Sequence, residues 1–220
     1  MSSSTTTTAS HHVTPPEASR LLDFWFTGDF SRWFKPSDSF DNDLRTKFLP
    51  LVHAARSSSL DSWKASPKGT LALLILLDQI PRNIFRGSKE SYASDGLARD
   101  IAVNAIAREV DRSEELKIIE RSFIYLPLMH DENLVSQIAC LAYYEALLAQ
   151  CPGSQGPSKG VSRVDKDEEL MQFVQDGVDM AKRHVNCILR FGRFPARNKA
   201  LGRESTEEEK AFLKEHAMGF

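Results

Sequence analysis

The amino-acid sequence predicts an all-α protein of about eight helices. Apolar residues recur every three or four positions along most of the chain, which is the period of an amphipathic helix. Proline, glycine and capping residues divide this pattern into segments of helical length, and no stretch shows the alternation of a half-buried strand. We therefore expect antiparallel helical hairpins, arranged as a bundle or as a short solenoid.

Length and composition place these helices in one domain. The chain has 220 residues, of which 41% are hydrophobic, enough for one core of ordinary size. We expect a single all-helical domain over residues 15–220. The Ser/Thr-rich residues 1–14 predict a disordered tail, and the Gly, Pro and Ser content at about 151–164 predicts a flexible insertion.

The first three helices follow from caps and periodicity. Thr14 is expected to cap a helix that begins with proline and ends near Phe26. The second helix carries its apolar period over residues 40–55 and contains Pro50, which predicts a kink. The third contains the uninterrupted apolar run 71–77, which is built for a core because it has no polar face.

Two shorter helices follow. Ser94 or Asp95 is expected to cap the fourth. Ser113, followed by two glutamates, predicts the start of the fifth, which should end near Tyr125 because Pro127 disfavours helical geometry at the residue before it.

Three longer or terminal helices complete the prediction. Asp131 can cap the sixth, and the chain resumes after the insertion with a helix that Gly192 ends. Ser205 and Thr206, each followed three residues later by Glu, offer two overlapping capping boxes for the last helix.

Charge and cysteine content limit the partners. A formal net charge of -2 and an isoelectric point near 6.3 make nucleic acid an unsuitable partner. No run approaches the roughly 18 apolar residues of a membrane span. Cys140, Cys151 and Cys187 are odd in number and widely spaced, which is typical of a reducing compartment. We expect a cytoplasmic protein that is a monomer or a homodimer.

The first candidate site follows the apolar run 71–77. Asp78 lies four residues before Arg82, so an intervening helical turn would pair them, and Pro81 should disturb the helix there. Such arginines either bind an anion or close a structural salt bridge. The candidate ligand-binding residues are Asp78, Gln79, Arg82, Asn83 and Arg86.

The second candidate site surrounds His130. Asp131 and Glu132 follow it directly, and an imidazole that Asp131 or Glu132 orients can act as a general base. The same carboxylates can instead serve only as helix caps. Tyr125 is a candidate catalytic residue with these three, and Arg121 is a candidate for binding the anion.

The third candidate site is an arginine-rich loop at residues 190–203, which we call the late loop. Phenylalanines interleave with its arginines, a combination that can bind phosphate, carboxylate or a stacked ring. His184, on the preceding helix, points to the core or to a pocket. The loop also repeats, as Pro-x-Arg-Asn, the Pro-Arg-Asn of residues 81–83, so the two exits are expected to face one pocket. The candidate binding residues are Arg190, Arg193, Arg197, Asn198 and Arg203.

These three motifs, in this order, resemble a known family. Asp-Gln-Ile-Pro-Arg-Asn at 78–83, Tyr-Leu-Pro-Leu-Met-His at 125–130 and Arg-Phe-Gly-Arg-Phe-Pro at 190–195 are similar to those of domain of unknown function 924, found in bacteria and fungi. The resemblance covers roughly residues 18–213. It implies an all-helical fold similar to tetratricopeptide hairpins and no settled activity. The chain departs from the pattern at Asp131, where the family often has Ser, and at Ala196, where it often has His.

The function expected from these motifs is that of a small enzyme acting on an acidic metabolite. The chain has no Gly-rich phosphate loop, no G-x-S-x-G elbow and no H-E-x-x-H. Proton-transfer chemistry, as in a lyase, isomerase or hydrolase, fits the side chains better than redox or nucleotide-dependent chemistry. No cofactor is predicted, and a divalent metal ion is left open, with candidate ligands Asp78, His130, Glu132 and His184. The alternative is a non-catalytic helical-repeat module that binds an acidic peptide or protein through an arginine-rich groove.

Overall fold

The computed structural model describes residues 13–28, 30–33, 37–151 and 165–215. In these ranges the protein is all-α, as predicted, with no strand. The predicted tail and insertion fall almost entirely on residues 1–12 and 152–164, which lie outside the described residues. The helices are α1 (Pro16–Phe26), α2 (Asp38–Arg56), α3 (Pro67–Leu74), α4 (Ile80–Ile84), α5 (Asp95–Ala107), α6 (Ile118–Met129), α7 (Leu134–Gln150), α8 (Asp165–Phe191) and α9 (Glu207–Glu215).

The apolar run 71–77 lies at the centre of the core. Its side chains are at most 1% exposed, because α3 packs against α1, α5 and α6. Helices adjacent in sequence also pack side by side, α6 on α7 and α7 on α8. A smaller apolar cluster joins the end of α8 to the late loop and α9, through Cys187, Ile188, Phe194 and Phe212.

Pro81 does not end the third helix, although it disturbs it earlier than predicted. Helix α3 passes into a π-helical turn, Ile75–Gln79, and then into α4, which contains Pro81. The wider turn accommodates a residue that has no N–H and whose ring crowds the preceding turn. Asp78 lies in the π turn, so this deviation from a regular helix sets the position of its carboxylate.

Both predicted ends of helix α6 are wrong. It starts at Ile118 instead of Ser113, and the carboxylate of Glu120 accepts from the backbone N–H of Lys117 at 2.7 Å. It continues through Pro127 to Met129 instead of ending near Tyr125. Because every α6 side chain from 122 to 129 is buried, tertiary packing outweighs the local preference imposed by proline.

Two predicted caps are wrong and two predicted helix ends are confirmed. Pro15 occupies the cap position of α1 in place of Thr14, and the Oδ1 of Asn133, not of Asp131, accepts from the first N–H groups of α7. Gly192 ends α8 with φ +67°, a conformation that glycine adopts without strain. The capping box of Thr206 with Glu209 forms at 2.8 and 3.1 Å.

Candidate functional site

The centre of the site is a pairing of Asp78 with His130. Asp78 is 1% exposed, and His130 follows the last residue of α6. The imidazole Nδ1 lies 2.8 Å from Oδ1 of Asp78 and 2.9 Å from Oδ2. The side-chain amide of Gln79 also donates to the Asp78 carboxylate. Because Nδ1 faces an acceptor-only group, it carries the proton.

Electrostatics fix the charge of this pair. Burial alone would raise the pKa of Asp78, but Arg82 and His130 hold the pKa at about 2, so the carboxylate is charged. Burial and Arg82 lower the pKa of His130, and Asp78 opposes them only in part. At neutral pH the imidazole is therefore neutral and donates from Nδ1. Its Nε2 has no hydrogen-bond partner in the described part of the chain, and the side chain is 16% exposed.

Two arginines extend the pair through Asp95, at the start of α5. Arg82 lies 3.2 Å from Asp78 and closes a two-pronged contact with Asp95, at 3.0 and 2.8 Å. Arg197, from the late loop, donates one bond to Asp95 at 3.1 Å. The first and third predicted motifs therefore meet on one carboxylate.

The remaining contacts close these residues into a ring, which we call the charged ring. The guanidinium of Arg197 lies 4.6 Å from the centre of the Phe194 ring, and Phe194 contacts His184 edge-on at 5.2 Å. The rings of His184 and His130 are 6.5 Å apart. The charged ring comprises His130, Asp78, Arg82, Asp95, Arg197, Phe194 and His184. All three sequence motifs contribute to it.

His184 is a buried neutral imidazole. Its Nδ1 lies 2.9 Å from the carbonyl of Met180, and burial lowers its pKa to about 3. The described residues contain no group of three or more His, Cys, Asp or Glu side chains placed to hold a metal ion, so the four metal candidates do not form a coordination set there.

The carboxylates next to His130 in sequence have other partners. Glu132 is held by Arg203 at 2.6 and 2.9 Å and by the backbone N–H of Phe194 at 2.8 Å. Burial would raise the pKa of Glu132, but these bonds lower it. Asp131 accepts from the hydroxyl of Ser136 at 2.6 Å. The residue that orients His130 is Asp78, 52 positions earlier, and not Asp131 or Glu132 as expected.

Four other candidates make structural contacts away from the charged ring. Tyr125 donates its hydroxyl to Asp111 at 2.8 Å, and burial together with that bond raises its pKa. Arg121 donates to the carbonyls of residues 113 and 116 and to Gln150. Asn83 and Arg86 both donate to Asp41, at 2.8 and 2.9 Å, and so tie α4 to α2.

The candidate residues of the late loop also differ in whether they make structural contacts or belong to the charged ring. Arg190 pairs with Glu208 at 2.7 Å on an exposed face. Arg193 grips Glu209 at 2.7 and 2.9 Å, and this contact lowers the pKa of Glu209 to about 2. Asn198 donates to Ser205 and Glu209. Of the predicted late-loop residues, Arg197 alone belongs to the charged ring.

Sequence reasoning missed two residues of this site. Asp95 was interpreted only as a helix cap, yet it bridges Arg82 and Arg197. Tyr92 lies beneath both guanidiniums, 5.9 Å from that of Arg82 and 4.8 Å from that of Arg197. No local pattern marks either residue, because their partners lie 10 to 105 positions away along the chain. An acidic residue at the start of a predicted helix is interpreted first as a cap.

Two surface cavities lie elsewhere. One, of about 350 Å³, is bordered by Asp23, Lys68, Lys117 and Glu120. Another, of about 300 Å³, has Leu97, Ile101 and Ala105 in its wall. Neither includes a member of the charged ring, so the site is defined by its paired charges and by the open Nε2 of His130.

Comparison with known proteins gives a family but no activity. A solved structure of a protein of unknown function from Agrobacterium tumefaciens is 34% identical in sequence and superposes with a TM-score of 0.74. The match covers 90% of this chain and 97% of that one. No curated protein matches. Among the described residues, no helix has both the length and the apolar character required to cross a membrane. The model of DUF924, described as a bacterial protein of unknown function, matches residues 21–217, and the chain therefore belongs to that family.

Proposed function

We propose that the protein is an enzyme that moves a proton on an acidic small molecule, with His130 as the general base. The observation that carries this proposal is the geometry of the Asp78–His130 pair. A charged, buried carboxylate holds Nδ1 and fixes the tautomer, so the lone pair of Nε2 points away from Asp78. When Nε2 accepts a proton, the same carboxylate stabilises the imidazolium.

The neighbouring charges suit an anionic substrate. Arg82 and Arg197 bring two guanidiniums together at Asp95. Arg197, whose guanidinium makes a single hydrogen bond among the described residues, can bind a carboxylate or phosphate, and both guanidiniums stabilise negative charge that develops as the proton leaves. A general base together with cationic groups that stabilise an anion suits a lyase, an isomerase or a hydrolase.

The test begins with a ligand. Thermal-shift screening of the full chain against acidic metabolites, with and without divalent cations, should identify compounds that stabilise the fold. Each hit is then incubated with the protein in D₂O, and proton NMR records product formation or exchange of a substrate proton.

Substitution of the base decides the outcome. We expect His130→Gln to reduce turnover or exchange by roughly 10²- to 10⁴-fold, the usual contribution of a positioned general base. Asp78→Asn should reduce it too, because an amide no longer fixes the tautomer. His53→Gln, on the exposed face of α2, is the matched control. Full turnover in His130→Gln would exclude His130 as the base.

The rival proposal is a non-catalytic module that grips an acidic peptide. It needs unpaired arginines along a groove, and the helical-repeat, tetratricopeptide-like arrangement implied by the family resemblance would suit it. It is less well supported, because the candidate arginines at 86, 190, 193 and 203 already bind carboxylates of the chain itself. A pull-down with acidic peptides that depends on these residues, in a protein that binds no metabolite, would favour it.

Compartment, assembly and cofactor use remain part of the proposal. We expect action in the cytoplasm, since the three cysteines are free thiols. We also expect a monomer or homodimer that binds neither nucleic acid nor membrane. The proposed chemistry needs no cofactor, and the metal arm of the thermal-shift screen tests whether a divalent ion contributes.

A further inference from the structure

Arg197 differs from the other charged residues of the site in how little of it is paired. Arg197 is 6% exposed, and its guanidinium lies over the rings of Tyr92 and Phe194. A buried guanidinium ordinarily uses most of its five donors. Within the described ranges the guanidinium of Arg197 makes a single hydrogen bond, from Nη1 to Asp95, and burial lowers the pKa of Arg197.

The unused donors form one continuous edge. The Nε of Arg197 is buried and has no hydrogen-bond partner among the described residues, and Nη2 makes no bond there either. In a guanidinium with Nη1 on the Cδ side, Nε–H and Nη2–H point the same way and are spaced like the two oxygens of a carboxylate. Arg197 therefore presents an intact fork, desolvated on one side.

We propose that the Nε/Nη2 edge of Arg197 is the binding site for a carboxylate group of the substrate. The inference rests on the proposed function, since it names the substrate class that the site would take. Arg197 is the anchor, and Arg82, committed to Asp78 and Asp95, holds the ring together.

Charge balance favours a carboxylate over a phosphate. The charged ring contains two guanidiniums and two carboxylates, so it is neutral while His130 is neutral. A bound carboxylate adds one negative charge to this neutral ring, next to the guanidinium of Arg197. A phosphate dianion would add two, and the cost of burying an uncompensated charge rises with its size.

Nuclear magnetic resonance of the arginine side chains tests the anchor directly. In the full-length ¹⁵N-labelled protein, the Nε–H signal of Arg197 is assigned by its loss in Arg197→Lys. Acetate, inorganic phosphate and chloride are titrated separately at constant ionic strength. We expect acetate to shift the Arg197 signal saturably, phosphate to do so more weakly, and chloride to have no saturable effect.

The variants separate this site from the rest of the loop. Followed through backbone amide signals, acetate binding should weaken by about tenfold or more in Arg197→Lys, because an ammonium cannot form the two-pronged contact. Arg193→Lys is the matched control, since the Nε of Arg193 is already bonded to Glu209, and it should bind acetate normally. Undiminished acetate binding in Arg197→Lys would overturn the proposal.

Two further outcomes count against it. If acetate causes no saturable shift, the edge is not an anion site, and if phosphate binds as tightly as acetate, the assignment to carboxylates is wrong. Acetate binding should persist in His130→Gln, because the anchor does not need the base. Binding without any turnover would count against the proposed enzyme while leaving the carboxylate site intact, so the two failures are distinguishable.

Discussion

Two stretches of the chain place proline, arginine and asparagine at the exit of a helix, and they differ in how completely their polar atoms are paired. In the first, Arg82 contacts both Asp78 and Asp95, and Asn83 binds Asp41. In the second, Arg197 makes one bond, and its Nε and the Oδ1 of Asn198 are buried without partners in the described residues. Their arginines meet at Asp95.

The difference separates a structural role from a binding role. The first stretch lies in α4, between α2 and α5, and each of its polar side chains joins neighbouring helices. The second lies in a 3₁₀ turn, Pro195–Arg197, after α8 has ended. Because buried donors are nearly always paired, the bonds of Arg82 to two carboxylates indicate a structural lock, and the buried, unpaired Nε of Arg197 indicates a ligand.

The largest effect on stability is expected at Arg82, whose guanidinium holds two carboxylates. Replacement of Arg82 by Gln removes the guanidinium that pairs with Asp78 and leaves a carboxylate that is 1% exposed, with Gln79 and His130 as its partners. Loss of one partner from a buried ion pair costs about 3–5 kcal/mol, so we expect urea unfolding to show a destabilisation of that order.

Two variants calibrate that measurement. Arg86→Gln removes a half-exposed arginine of the same stretch from Asp41 and should cost less than about 1 kcal/mol. Adding Asp78→Asn to Arg82→Gln should recover part of the loss, since no unpaired charge then remains. Equal effects of Arg82→Gln and Arg86→Gln would show that Arg82 is not a lock.

An intermediate effect on stability is expected at His184, whose ring lies near those of Phe194, in the second stretch, and of His130. Its folded pKa of about 3 lies below its ordinary value of 6.5, so the folded state disfavours its protonation. The resulting stability is present in full above pH 6.5 and declines as the pH falls toward 3. At pH 5 the expected loss is about 2 kcal/mol.

The pH dependence can be isolated by comparing variants. His184→Gln keeps a donor for the Met180 carbonyl but removes the titration, so its stability should fall less steeply than that of the wild type between pH 7 and 5. His130 contributes a loss of the same sign in both proteins, because its pKa is also lowered. His53→Gln should follow the wild-type curve. Parallel curves for wild type and His184→Gln would contradict a neutral buried imidazole.

The sequence predicts this fold better than it predicts the site. The uninterrupted apolar run 71–77, which predicts burial, and the Thr206–Glu209 box are local signals, and both match the structure. Helix α6 did not follow the rule at Pro127, because tertiary burial decided its length. The partner of His130 was misassigned, since adjacency suggested Asp131 or Glu132 while a π turn 52 positions earlier supplies Asp78. Asp95 was missed as a site residue for the same reason: its role depends on two distant arginines.

The smallest stability effect is expected where pairing is least complete. Arg197→Gln removes a buried cation that makes one bond, and Asp95 retains both contacts with Arg82. We expect the change in unfolding free energy to stay within about 1 kcal/mol. A free energy of unfolding that drops as far in Arg197→Gln as in Arg82→Gln would mean that both stretches are locks. A small drop together with the loss of acetate binding would mean that one repeated pattern holds the helices at its first occurrence and binds the ligand at its second.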